Sequence, residues 1–275
     1  MAHSRSSCRP KSSSNKIRSQ TMKLEGNTIL ITGATSGIGR GLAEAFHKLG
    51  NKVIIAGRRQ NLIDEITAAN PGMEGLQLDV QDAAAVSKFT ENVAKKYPQL
   101  NVLINNAGIA KFESWSEDKV DLEIVRSIIH TNITSVIQLT AELLPLLRKQ
   151  KNATMITTTS GLAFVPLTAA PTYSASKAFL HSWLQSVRSQ LNGAVEVLEL
   201  APPYVATELG GQAQAEDPRA MPLDEYVAEV ISILKSNDTA DGEILVERVK
   251  SFKQAVTNEK YGPTFELVNS MFKQE

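Results

Sequence analysis

A single doubly wound parallel α/β sheet with helices on both faces is the fold class this sequence predicts. Three observations lead there. Short apolar, β-branched runs alternate with stretches of helical periodicity along most of the chain. The first run, Thr28 to Thr32, passes directly into Gly33-Ala34-Thr35-Ser36-Gly37-Ile38-Gly39, and a helical pattern with Leu42, Phe46 and Leu49 on one face follows. No internal repeat and no second cluster of elements breaks the alternation, and 275 residues with 42% hydrophobic content suffice for one such unit.

The remaining elements follow in order. Lys52 to Ala56 reads as the second strand, and Gln60 to Ala69 as a helix stopped at Asn70-Pro71-Gly72. Gly75 to Leu78 is the third strand, followed by a helix from Asp82 to Lys96 with Asp82 as its cap. Asn101 to Asn105 is the fourth strand. Asp118 to Arg148 reads as mostly helical, with Pro145 in its last turns. Thr154 to Thr158 is the fifth strand, Pro171 to Leu191 a helix, and Val195 to Leu200 the sixth strand. Leu223 to Lys235 is a helix and Glu243 to Val246 the final strand. In a right-handed sheet of this kind the ligand lies at the carboxyl ends of the strands. Gly33, Gly57, Asp79, Asn105, Ser160 and Pro202 all fall there.

Two groups of residues point to chemistry. Strand, glycine turn and helix together aim backbone N–H groups at a pyrophosphate, and the glycines let the backbone approach it. In isolation such a motif is only a turn; its place between strand and helix gives it meaning. The second group is Tyr173 and Lys177, with Ser160 thirteen residues upstream. A tyrosine serves as general acid or base near neutral pH only if its pKa is pulled down from about 10. A lysine four residues on shares its helix face and can do this. Tyr-x-x-x-Lys alone arises by chance in roughly one in three chains of this composition, so companion motifs decide its meaning.

Those companions are present, and with them the chain resembles the short-chain dehydrogenase/reductase family, looking most like its DltE-type oxidoreductases. The resemblance runs from about Leu24 to Val246. It rests on the turn Thr32 to Gly39, the pair Asp79-Val80, the segment Asn105-Asn106-Ala107-Gly108, and Asn132, Ser160, Tyr173 and Lys177 at intervals of 28, 13 and 4 residues. The resemblance implies a Rossmann-type fold and hydride transfer between a nicotinamide and a carbonyl or alcohol carbon, a carbonyl reductase or alcohol dehydrogenase. It implies that Tyr173 is the acid/base, that Ser160 holds the reacting oxygen, and that Lys177 lowers the Tyr173 pKa and binds the nicotinamide ribose. Asn132 would carry a water linking Lys177 to solvent; its plainer role is to satisfy an irregular helix turn, and both can hold together. Gly33, Thr35, Ser36, Gly37, Ile38, Gly39, Asp79, Val80, Asn105, Ala107, Gly108, Pro202, Val205 and Thr207 are the implied cofactor contacts, with Tyr173 and Lys177. After the sixth strand Pro202-Pro203 stands where Pro-Gly is usual; DltE-like members often share it, so it is not read as inactivating.

Cofactor choice turns on the end of the second strand. An acid there would bind a ribose 2′-hydroxyl and repel a 2′-phosphate. Gly57-Arg58-Arg59 stands instead, and Arg58 is placed for a charge-assisted phosphate contact. NADP(H) is therefore expected over NAD(H). Arg59 either stacks on adenine or faces water.

Phe112, Leu162, Phe164, Tyr204 and Leu209 are the expected substrate walls. They are mostly apolar, so the expected substrate is a neutral, hydrophobic small-molecule ketone or aldehyde. Gly210 to Met221 has the composition of a mobile lid. Residues 22–248 form the expected domain and 249–275 a C-terminal extension. The extension's Phe252, Val256, Phe265, Val268 and Phe272 cover the pocket or pack on a partner subunit. Family likeness implies a homodimer or homotetramer through the helices at 118–148 and 171–191. Ile133, Val136, Ile137, Phe179 and Trp183 fit that contact, though burial within one subunit would look the same.

Other classes are disfavoured. Cys8 is the sole cysteine, and His3, His47, His130 and His181 show no ligand spacing, so no metal is expected. No run of 18 apolar residues exists, so neither a membrane span nor a membrane partner is expected, and the location expected is cytoplasmic. Met1 to Thr21 reads as a disordered leader or tag; a targeting peptide is the other reading. The leader's five bases are unopposed by acids, so residues 22–275 carry a net charge of −5, which argues against nucleic acid. A non-catalytic NADP(H)-binding sensor or scaffold is the alternative, disfavoured because Ser160, Tyr173 and Lys177 are all present.

Overall fold

The structure is a computed structural model that describes residues 22–116 and 120–271. The expected leader, the start of the helix placed at Asp118, and Phe272 lie outside the described residues. Seven parallel strands form one sheet in the order β3-β2-β1-β4-β5-β6-β7. They are β1 (Thr28–Thr32), β2 (Lys52–Gly57), β3 (Glu74–Gln77), β4 (Val102–Asn105), β5 (Thr154–Thr158), β6 (Glu196–Leu200) and β7 (Glu243–Ile244). Chain order reverses between β1 and β4, which creates the crevice where such folds bind nucleotides.

The central strands β1, β2 and β4 are rich in buried Ile, Leu and Val because both sheet faces are covered there. Side chains alternate between two cores. Ile29, Ile31, Val53, Ile55, Val102 and Ile104 point to one face and pack on α1 (Gly37–Lys48) and α2 (Gln60–Ala69). Leu30, Ile54, Ala56, Leu103 and Met155 point to the other and meet α3 (Ala83–Lys96). Asp82 caps α3 by accepting from the Ala85 N–H at 3.0 Å, as expected.

The next helical stretch differs from expectation. It starts at α4 (Leu122–Ile129), capped by Asp121, and passes through a π-turn, His130–Thr134, into α5 (Ser135–Leu147). The π-turn adds a residue to the helical repeat, and Asn132 sits in it, with no exposed surface. α6 (Pro171–Leu191) begins with Pro171 at a position where the missing N–H costs nothing. It ends at Asn192 in the left-handed region.

Beyond β6 the chain makes an excursion through α7 (Gln212–Ala215). Its base is closed by Met221 N–H donating to Tyr204 O at 2.8 Å and Ala206 N–H to Met221 O at 2.9 Å. α8 (Leu223–Ser236) returns to the first core through Tyr226 and Val230. β7 is two residues long, not four, because its neighbour β6 ends at Leu200, which pairs with Ile244; α9 (Glu247–Thr257) follows. α10 (Tyr261–Ser270) follows. These last helices pack on this chain's own site. Phe252 and Val268 join the apolar cluster containing Tyr173, and Asn269 Oδ1 accepts from the Thr168 N–H at 2.5 Å.

Candidate active site

The glycine turn is held from behind. Gly33 has φ +66°, and a methyl group there would lie 2.7 Å from Ala107 Cα, so only glycine fits. Asn106 fixes the arrangement. Its Nδ2 donates to Thr32 O and Gly33 O at 3.2 Å each, and its Oδ1 accepts from Thr158 Oγ1 at 3.3 Å. One side chain thus joins the ends of β1, β4 and β5. Asn105 points into the core instead, donating to Thr140 Oγ1 at 3.0 Å.

The N-terminus of α1 suits an anion. Ser36 stands at the cap without making a side-chain cap bond, and the first turn holds no acid. Arg59 reaches over this turn: Nη2 donates to Ser36 Oγ at 2.8 Å and to Thr35 Oγ1 at 3.2 Å. Arg59 is exposed, as one of its two expected positions had it, and these bonds tie it to the turn. Arg58 is exposed at the same strand end, and its carbonyl accepts from Gln77 Nε2 at 3.0 Å. Gly57 is packed on the turn; a Cβ there would sit 2.7 Å from Thr35 Cγ2, leaving little room for an acid. Thr207 closes the other side, its Cγ2 lying 3.3 Å from where a Gly37 Cβ would be. Gly39, Val80 and Val205 are buried, and Ile38 is half-buried beside them. Asp79 Oδ1 accepts from the Gln81 N–H at 3.0 Å, shaping the turn after β3, and Pro202 O accepts from the Gly161 N–H at 2.8 Å. An uncapped helix N-terminus with a cation at its rim is an arrangement that could hold a pyrophosphate.

Ser160, Tyr173 and Lys177 come together beneath it, all buried. Lys177 Nζ donates to Thr158 O at 2.9 Å and lies 5.7 Å from the Tyr173 ring centroid. A methyl group on Gly108 would lie 3.4 Å from Asn132 Oδ1 and 3.6 Å from Lys177 Nζ, so the four positions converge. Asn132 is tied to Ile109, accepting from its N–H at 2.9 Å and donating to its carbonyl at 3.0 Å. It also donates to Ser176 Oγ at 3.0 Å. The π-turn therefore supports the chain leaving β4.

Electrostatics here differ from the expectation that Lys177 lowers the Tyr173 pKa. Burial pushes the Tyr173 phenol up to about 12, against a hydrogen bond with Ser160 that pulls it down. Burial lowers Lys177 to about 8. Burial favours the neutral form of each group.

The expected substrate walls divide. Leu162 and Phe164 belong to the cluster around Tyr173, which Phe252 and Phe265 also join. Tyr204 donates through its hydroxyl to Asp217 Oδ2 at 3.2 Å. Phe112 and Leu209 are 57% and 42% exposed and stand at the rim. Thr32, Asn106, Thr158 and Ser176 complete the site and were not singled out individually by sequence. Asn106 lay within a recognised motif, but what it bonds to depends on tertiary placement.

A short chain dehydrogenase family model matches residues 27–218. The chain is 38% identical over 253 residues to an uncharacterized oxidoreductase, DltE, of Bacillus subtilis, covering 90% of this chain and 99% of that protein. It is 34% identical over 197 residues to a serine 3-dehydrogenase of Agrobacterium fabrum, covering 69% of this chain and 78% of that one. Among solved structures, a short chain dehydrogenase from Burkholderia cenocepacia in complex with NADP superposes with a TM-score of 0.76 at 22% identity. That alignment covers 90% of this chain and all of the other. A matching family model over most of the chain, a relative matched along nearly its full length and a shared sheet agree with the geometry, and the chain belongs to the short chain dehydrogenase family of oxidoreductases.

Proposed function

We propose that this protein is an NADP(H)-dependent reductase or dehydrogenase acting between a neutral, hydrophobic carbonyl compound and the corresponding secondary alcohol. The observation that carries the reading is the convergence of Tyr173, Ser160 and Lys177 at the strand ends next to an uncapped helix N-terminus. The cradle fits a dinucleotide. Arg59 and Arg58 flank the end of β2, and Gly57, packed on Thr35, stands where a ribose-binding acid would be. Both features favour the 2′-phosphate of NADP(H).

When bound, the cofactor supplies the hydride. The chain supplies position and a proton. Tyr173, protonated at neutral pH, donates to the substrate oxygen as the carbonyl is reduced. Ser160 donates a hydrogen bond to the same oxygen and stabilises its developing charge. Lys177, anchored on Thr158 O, stands next to Tyr173 and can relay the replacement proton. The route to solvent passes Asn132, whose Oδ1 keeps a second lone pair for a water.

Neutral substrates are favoured because Leu162, Phe164 and Phe252 dominate the space around Tyr173. The serine 3-dehydrogenase relative acts, by its name, on serine, whose ammonium and carboxylate need polar partners. In this chain Arg219, the cation nearest Tyr204 in sequence, is gripped by Asp217, Nε to Oδ1 at 2.9 Å and Nη2 to Oδ2 at 2.6 Å. Phe179, Leu122 and Ile129 stay exposed on α6 and α4, supporting self-association into a dimer or tetramer through that face. Steady-state assays with NADPH on matched neutral ketones, serine and an anionic aldehyde test the reading. The neutral compounds should show the highest kcat/KM; preference for a charged substrate would overturn the substrate class.

A further inference from the structure

Glu199 of β6 has no exposed surface, yet it is held by two elements of the candidate catalytic set. Its Oε1 accepts from Thr159 Oγ1 at 2.7 Å, and its Oε2 from His181 Nδ1 at 2.7 Å. Thr159 directly precedes Ser160, and its N–H donates to Leu200 O at 2.8 Å. His181 lies on α6 one turn beyond Lys177 and two beyond Tyr173, so the three share a face. One carboxylate therefore bridges the strand end bearing Ser160 and the helix bearing Tyr173 and Lys177. Phe164 closes over the imidazole, edge-on at 5.0 Å between centroids, and Gln185 Nε2 lies 2.9 Å from His181 Nε2.

The surrounding charges come from four elements. Glu243 of β7 pairs in register with Glu199, and Lys253 of α9 donates to Glu243 at 2.5 Å. Asp241 lies 4.0 Å from Lys253, while Arg188 of α6 is spent on the carbonyls of Val197 and Gly242. His181, Glu199 and Glu243 bring potential ligand atoms within 4.8 Å of one another. Lys253 pairs with Glu243, and His181 pairs with Glu199 as an ion pair only when protonated.

We propose that Glu199 and His181 are positioning residues that fix Ser160 relative to Tyr173 and so set the rate of the chemical step. This rests on the roles proposed above for Ser160 and Tyr173. The Glu199 hydrogen bond, helped by the charge of Glu243, raises the His181 pKa above 6.5, against burial and Lys253. Below that raised value the imidazolium balances Glu199; above it the buried carboxylate loses its nearest counter-charge and the bridge loosens.

The test measures kcat, KM and NADPH affinity across pH for the wild type, Glu199→Gln, Thr159→Val, Thr159→Ser and Tyr173→Phe. Thr159→Val leaves the charge cluster intact and serves if Glu199→Gln does not fold. Glu199→Gln and Thr159→Val should each lower kcat on the order of 10-fold or more, with KM and NADPH affinity within about 2-fold, because displacing reacting groups costs rate before binding. Thr159→Ser should restore the rate. The pH profile of Glu199→Gln should lose the ionisation that an NMR titration assigns to His181. Wild-type kcat and pH profile in both Glu199→Gln and Thr159→Val, with Tyr173→Phe inactive, would overturn this inference alone. An active Tyr173→Phe would instead overturn the proposed function beneath it.

Discussion

Lys177 Nζ donates to the main-chain carbonyl of Thr158 at 2.9 Å, two residues before Ser160. The lysine is thus anchored to the sheet and buried. Burial lowers its pKa to about 8 and raises that of Tyr173 to about 12, so both groups are held toward their neutral forms.

The lysine has a stability signature. Its folded pKa of about 8 lies below the ordinary 10.5, so between those values the unfolded chain binds more protons than the native one. Stability contributed by this group therefore rises with pH through that window. Urea unfolding from pH 7 to 10.5 should show this rise in the wild type and lose it in Lys177→Met. The variant should be at least as stable as the wild type at pH 7 while losing activity.

His181 has the opposite sign. Its folded pKa is raised above 6.5, so its contribution is fully present below about pH 6.5 and is lost as pH climbs through the raised value. His181→Gln should flatten that part of the stability profile, read by thermal melts across pH.

Arg59 carries the cofactor prediction. A charge-assisted hydrogen bond is worth about 1.5–3 kcal/mol, so Arg59→Ala should raise KM for NADPH roughly 10- to 100-fold and barely change that for NADH. Gly57→Asp should weaken NADPH without conferring NADH use, because its Cβ would meet Thr35 Cγ2 at 2.7 Å. Titrations of each variant with both cofactors check this pair.

Gly161 ties the serine loop to α9. A methyl group there would lie 2.7 Å from Val249 Cγ2. Gly161→Ala should cost about 1–3 kcal/mol of stability, as overpacking does. Val249→Ala in the same chain should recover part of it, which a double-mutant cycle in urea would show.

Most of the architecture was legible in the sequence because a doubly buried sheet writes its central strands as apolar runs. β1, β5, α2 and α6 lie where the pattern put them. Boundaries set by tertiary context were not. β7 stops at Ile244 because its partner β6 ends at Leu200, and the π-turn at Asn132 slips the helical repeat by one residue that periodicity does not register. Ser160, Tyr173 and Lys177 were legible because their chemistry demands fixed spacing. The reach of Arg59 to Ser36 spans 23 residues and depends on a side-chain direction, which residue type does not encode. The His181–Glu199 bond joins a helix to a strand 18 residues away, and no spacing rule announces it.

The most direct test follows loss of NADPH absorbance with a panel of neutral ketones and aldehydes, running NADH and Tyr173→Phe alongside. Turnover should be faster with NADPH than with NADH, and Tyr173→Phe should lower it by about 10²- to 10⁴-fold, the usual range for a positioned acid/base. Undiminished turnover in Tyr173→Phe, or tight NADPH binding with no turnover of any carbonyl, would contradict the account.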